Sequence, residues 1–178
     1  MKRICVLIFL LAVSWSLFAQ SGLFDLSYAI PWVEADSLLM TNGFSAQENA
    51  NNQVKYYSAA NPLVSAIILF VEPKTQRMVG WFVKYSAENT EENDNYVLET
   101  LAKLHGKTNH YDEETQQLIW YLSTTRTVHV MYAADNSLTV LYYDSYFPEL
   151  FKTHKEETGN VPQKPLDPIK VEAAKPEE

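Results

Sequence analysis

The feature that most limits what this chain can fold into is one strongly helical stretch set between two runs of strand-forming segments. From Glu91 to His105, Val97, Leu98, Leu101 and Leu104 recur at helical spacing, acids fill the first turn, Lys103 lies near the end and Gly106 provides the stop. Before it, Val54 to Ser58, Leu63 to Glu72 and Arg77 to Ser86 are rich in β-branched and aromatic residues, and Glu72-Pro73-Lys74-Thr75 reads as a turn between the last two. After it come Leu118 to Ser123, Thr127 to Tyr132 and Ser137 to Tyr143, with Ala134-Asp135-Asn136 as a tight turn and a shorter strand expected over Lys107 to Tyr111. Runs of strands parted by a lone helix, instead of strict strand-helix alternation, predict an α+β fold. Such connections give an antiparallel sheet of meandering strands with helices packed on one face.

A shorter helix is expected ahead of the first run. Ile30-Pro31-Trp32 precedes Val33, Ala35, Leu38 and Leu39, and Asn42-Gly43-Phe44 closes the segment. Proline suits the first turn, where its missing N–H is no loss, and glycine suits the left-handed residue just past the end. Phe44 is then placed to fold back on the Leu38/Leu39 face, and Trp32 to anchor in the core. Ser45 to Gln53 is polar and asparagine-rich and reads as a loop. The element order is therefore helix, meander, helix, meander. Both halves set a glycine-ended helix before their strands, although no residue-by-residue repeat links them.

Three parts of the chain follow from composition. Met1-Lys2-Arg3 is basic, Ile4 to Phe18 is uncharged and mostly apolar, and Ala19, Gln20, Ser21 and Gly22 are small or polar; this is the order of a secretory signal peptide over residues 1–20. Its apolar run is shorter than the roughly 20 residues of a bilayer span. Residues 21–157 then form one α+β domain, and residues 158–178, with Pro162, Pro165, Pro168 and Pro176 among Lys, Glu and Ala, form a flexible tail. An exported protein, periplasmic or secreted, is expected. Cys5, the one cysteine, precedes the apolar run, so it cannot be a lipid-modified cysteine following a leader. Once the leader is cut, no thiol remains for a disulfide, a nucleophile or a metal.

The net charge is −8, and removing Lys2 and Arg3 with the leader leaves −10. A surface of this sign disfavours nucleic acid and anionic lipid, which bind through clustered Lys and Arg. The acidic runs Glu88, Glu91, Glu92, Asp94 and Asp112, Glu113, Glu114 read as a helix N-terminus and a solvated turn.

Catalytic patterns were sought class by class. His105, His110 and Asp112 lie close in sequence, but their spacing is neither the one-turn helical pair nor a paired strand motif, so no metal site is expected. His129 alternates with Val128 and Val130 and belongs to the opposite sheet face. No glycine-flanked serine elbow occurs, and the five glycines are scattered, so neither an acyl-transfer serine nor a phosphate-cradling loop is expected. Dispersed carboxylates leave a hydrolase as the weakest of the readings. The abundant residue is tyrosine, spread over the strands. Helices cover one face of a sheet, so a set comprising Tyr121, Tyr132, Tyr142 and Tyr143 is expected to present rings and hydroxyls to a protein or envelope partner.

The stretch Leu101-Ala102-Lys103-Leu104-His105-Gly106-Lys107, followed by a charged turn and the strand holding Trp120, resembles the helix-to-strand junction of small exported bacterial α+β proteins. Taken with Ile30-Pro31-Trp32 and Gly43-Phe44, it is similar to the loosely related BamE-like and β-lactamase-inhibitor-like folds. The resemblance implies a fold and a binding role and carries over no functional residue. It points to a non-enzymatic exported binding or structural module without cofactor or metal; the alternative it suggests is an inhibitor of a secreted hydrolase.

Overall fold

The computed structural model describes residues 20–50 and 52–152. The expected leader, up to residue 19, and the expected tail lie outside the described residues. Helix α1 spans Trp32–Thr41 and helix α2 spans Glu91–His105. Eight strands accompany them: β1 Ser45–Ala50, β2 Gln53–Tyr57, β3 Val64–Glu72, β4 Arg77–Tyr85, β5 His110–Asp112, β6 Gln117–Tyr121, β7 Arg126–Tyr132 and β8 Leu138–Asp144. Short 3-10 turns, Leu23–Asp25 and Pro148–Phe151, open and close the described chain. The fold is α+β.

All eight strands form one antiparallel sheet in the order β1-β2-β3-β4-β8-β7-β6-β5. The order reads as one helix-plus-four-strand unit used twice, the two last strands meeting at the centre. β4 and β8 pair there over Trp81↔Tyr142 to Lys84↔Thr139. Each unit is a local meander, so six of the seven pairings join strands consecutive in sequence, and only the β4–β8 seam is non-local.

Both helices cover the same face. Ala35 and Leu39 of α1 and Val97, Leu98 and Leu101 of α2 join one buried cluster with Tyr56, Ile67, Leu69, Trp81, Val83, Trp120, Val130, Val140 and Tyr142. The opposite, outer face holds a smaller cluster of Ile68, Phe70, Val79, Phe82, Leu141 and Phe151. Alternation along each strand divides the two sets, because successive side chains point to opposite faces. A bulge on β4, where Val79 is the extra residue between Met78 and Gly80 opposite Val71 and Phe70, breaks that alternation and turns Val79 to the outer set.

The caps act as expected. Thr90 accepts a hydrogen bond from the Asn93 backbone N–H at 3.3 Å, and Gly43 and Gly106 both take positive φ, 82° and 88°. Phe44, just past Gly43, is buried and meets Phe24 edge-to-face at 5.4 Å. Trp32 is half-buried against the main cluster.

Ser45 to Gln53 is not a loop: it contains β1 and the start of β2. β1 is an edge strand, and its described side chains are exposed, so it has no apolar face to advertise in sequence. The β3–β4 and β5–β6 turns share one device unforeseen in the sequence. Glu72 and Asp112 each accept backbone N–H groups two and three residues on, and Gln76 and Gln116 follow at φ 56° and 53°.

Residues 23–29 were assigned no element by pattern, yet Leu23, Leu26, Ser27 and Tyr28 are buried. Gly22 rests against Trp81 and Tyr142 so closely that a methyl group there would overlap both rings. Leu23 N–H donates to the Tyr142 hydroxyl at 3.1 Å, and the Tyr28 ring sits 5.1 Å from that of Trp81. Leu26 is fully buried.

Candidate functional site

The four tyrosines named from sequence do not form one surface. Strand parity sends Tyr132 and Tyr142 under the helices and Tyr121 and Tyr143 to the outer face. Tyr142 is fully buried, stacked on Trp81 at 3.9 Å with an 11° interplanar angle. Its hydroxyl accepts from Leu23 N–H and lies 2.9 Å from His105 Nε2. Burial holds the His105 imidazole down to about 4, so at neutral pH the ring is uncharged and shares one hydrogen bond with the tyrosine hydroxyl. Tyr132 is buried as well and donates to Asp94 Oδ2 at 2.7 Å; desolvation and then the Asp94 carboxylate push its ionisation upward. Tyr143 is half-buried against Phe151 at 4.9 Å and His129 at 6.0 Å. Tyr121 alone of the four is open, at 68% exposure.

Much of the outer face is also closed. Ile68, Phe82, Ile119, Met131, Thr139 and Leu141 are buried on it, and His129 is held between Thr127 Oγ1 at 2.8 Å and Gln117 Oε1 at 2.9 Å. His105 and His110 are likewise separated, the first bonded to Tyr142 and the second on the edge strand β5. Among the described residues, no group of three or more His, Cys, Asp or Glu side chains could hold a metal ion.

A concave feature among the described residues lies elsewhere. A cleft of about 180 Å³ lies where α2 passes the start of β3 and the first 3-10 turn. Its walls are Leu23, Phe24, Leu63, Val64, Tyr85 and Val97, and its rim carries Asn61, Asn89, Asn93, Tyr96 and Thr100. Local sequence explains each position. The helical repeat places Asn93, Tyr96, Val97 and Thr100 on one flank of α2, at spacings of three and four. Asn61 Oδ1 accepts from Leu63 N–H at 3.2 Å, and Asn89 Nδ2 donates to Leu63 O at 3.0 Å, so two rim asparagines clamp the entry to β3. Phe24 has a left-handed backbone, φ 62°, a conformation that costs energy for a residue with a Cβ and turns this short segment toward the mouth.

Tyr85 decides what the cleft can do. Its side chain is 5% exposed, yet its hydroxyl has no hydrogen-bond partner among the described residues. Burial first and Asp94 second raise its ionisation, so it stays a neutral donor and acceptor. The Asn93 carboxamide is also unpartnered there. Leu63 and Tyr96 at the mouth are 43% and 68% exposed, two of the few large apolar residues the fold leaves open. An apolar hollow with a few convergent polar groups is the general form of a recognition site. At about 180 Å³ it falls below the ~300–1,000 Å³ of cofactor and drug-sized pockets. One bulky side chain fits; a dinucleotide or flavin does not.

Sequence reasoning missed this cleft. Tyr96 borders the Val97, Leu98 and Leu101 repeat without belonging to it, and Asn61, Asn89 and Asn93 carry no pattern of their own. No local signal marks two loop amides and one helical amide as neighbours.

The fold and cleft define an α+β sheet protein with a hollow the size of one side chain. Compared with known proteins, the chain matches no family model, no curated protein and no solved structure.

Proposed function

We propose that this protein is an exported, non-enzymatic binding module of the cell envelope, and that it engages a protein partner at the cleft beside α2. One observation carries the reading: Tyr85, 5% exposed, turns an unpartnered hydroxyl into an open, apolar hollow. A hydroxyl that faces an open hollow meets water, and a ligand that replaces that water gains a hydrogen bond worth about 0.5–1.5 kcal/mol. Export rests on the basic, apolar and small-residue order of residues 1–20 and on the absence of cysteine beyond Cys5. No helix among the described residues is long and apolar enough to cross a membrane. The resemblance of the sequence to β-lactamase-inhibitor-like folds, for which binding is the expected role, points the same way.

A second reading, contact through the outer sheet face, is favoured by Tyr121, open at 68% on β6. Photo-crosslinking separates the two. With a crosslinking amino acid at Tyr96 or at Tyr121 in exported protein, the cleft reading expects a discrete adduct from Tyr96 and none from Tyr121. Adducts from Tyr121 alone favour the sheet face, and adducts from neither position remove both readings.

A further inference from the structure

The chemistry around the cleft specifies more than a protein partner. No lysine or arginine lines it. Glu88 precedes the rim residue Asn89, and Glu92 and Glu99 flank Tyr96 on α2; all three acids are exposed. Glu92 and Glu99 lie four residues before and three after Tyr96, on the same helical flank. Of these acids, Glu99 has Lys103 at 3.9 Å, with both side chains largely solvated. Three carboxylates around a small apolar hollow raise the local concentration of cations and repel anionic ligands.

Resting on the cleft reading above, we propose that the occupant is a cationic peptide segment: one bulky apolar side chain enters the hollow, and lysine or arginine on either side meets Glu88, Glu92 and Glu99. The Tyr85 hydroxyl and the Asn93 carboxamide hydrogen-bond the peptide backbone around that side chain. The volume holds one large side chain and no more, so the segment is read at a single anchor. The amide rim suits a peptide bond, which offers a donor and an acceptor side by side. An acidic partner and a phosphate-bearing lipid both fail on charge, as does a second copy of this acidic chain.

The test is a titration of the exported protein, isotope-labelled and followed by backbone NMR, with three capped pentapeptides: phenylalanine flanked on each side by two lysines, by two serines or by two glutamates. The lysine peptide is expected to shift the amides of Asn93, Tyr96 and Thr100 and to bind at least about tenfold more tightly than the serine peptide, an advantage that shrinks as salt rises. Thr100→Trp, which fills the hollow, is expected to abolish those shifts. Tyr96→Ala, at an exposed position that leaves the core intact, is expected to weaken binding several-fold. Equal affinity for the lysine and serine peptides overturns the cationic assignment and leaves the cleft reading standing. If no peptide moves the cleft resonances, or the lysine peptide moves only residues near Tyr121, both are overturned.

Discussion

The Trp81 and Tyr142 rings stack at 3.9 Å across the only non-local strand seam in the sheet, and Gly22 closes over their edge. The two helix-and-strand units are thus joined by an aromatic pair, sealed by the segment that precedes both. Tyr142→Phe keeps the stack but leaves Leu23 N–H and His105 Nε2 without their shared partner. We expect a loss of about 1–3 kcal/mol in denaturant unfolding. Gly22→Ala, which forces a methyl against both rings, is expected to cost roughly 1–3 kcal/mol as well.

Acid titration should resolve two separate groups. His105 has its folded value lowered to about 4 from 6.5, so the unfolded chain binds the proton more readily. Its contribution is fully present above about 6.5 and is lost as pH falls toward 4. Asp135, held down to about 2 by Lys84 and Ser137, loses its contribution only as pH falls below its usual 3.8 toward 2. Melting temperature measured from pH 7 to 3 should therefore decline first in the histidine window, and His105→Gln should flatten that part alone. An unchanged slope in the variant would remove the assignment.

Tyr132 and Asp94 form a buried pair that fastens the first turn of α2 to β7. Asp94 Oδ1 already lacks a partner, so Tyr132→Phe would leave the whole buried carboxylate unsatisfied. The expected cost is about 2–3 kcal/mol. Asp94→Asn combined with Tyr132→Phe should cost less than the sum of the single changes, and a double-mutant cycle measures the difference.

Tyr121→Ser provides the opposite case. With the ring 68% exposed, stability should change by no more than about 0.5 kcal/mol. A larger loss would mean that Tyr121 is covered in the folded protein.

The α2 cap gives a prediction of intermediate size. Thr90→Ala removes the acceptor for Asn93 N–H and should cost about 1 kcal/mol, while Thr90→Ser should retain most of the stability. The same change loosens the helix turn that carries Asn93 and Tyr96, so peptide binding at the cleft should weaken with it.

Both helices and most strands were legible because their signals are local. Glu91 to His105 carries its own cap, apolar repeat and stop, and Arg77 to Tyr85 carries its own β-branched and aromatic content. β1 was illegible because an edge strand exposed to water needs no apolar residues. The burial within residues 23–29 left no local trace either. Leu23, Leu26 and Tyr28 have no strand or helix period, and what holds them is supplied by Trp81 and Tyr142, far along the chain.

By itself the sequence determined the α+β class, the two helices with their glycine stops and the surplus of negative charge, since each follows from residue type and short-range spacing. Tertiary structure alone decided which tyrosines became core and which stayed open, because one residue of strand parity moves a ring from one face to the other. It alone placed Asn61, Tyr85, Asn89 and Tyr96 around one hollow, because a site whose members come from a loop, a strand end and a helix flank exists only once the sheet and α2 have packed.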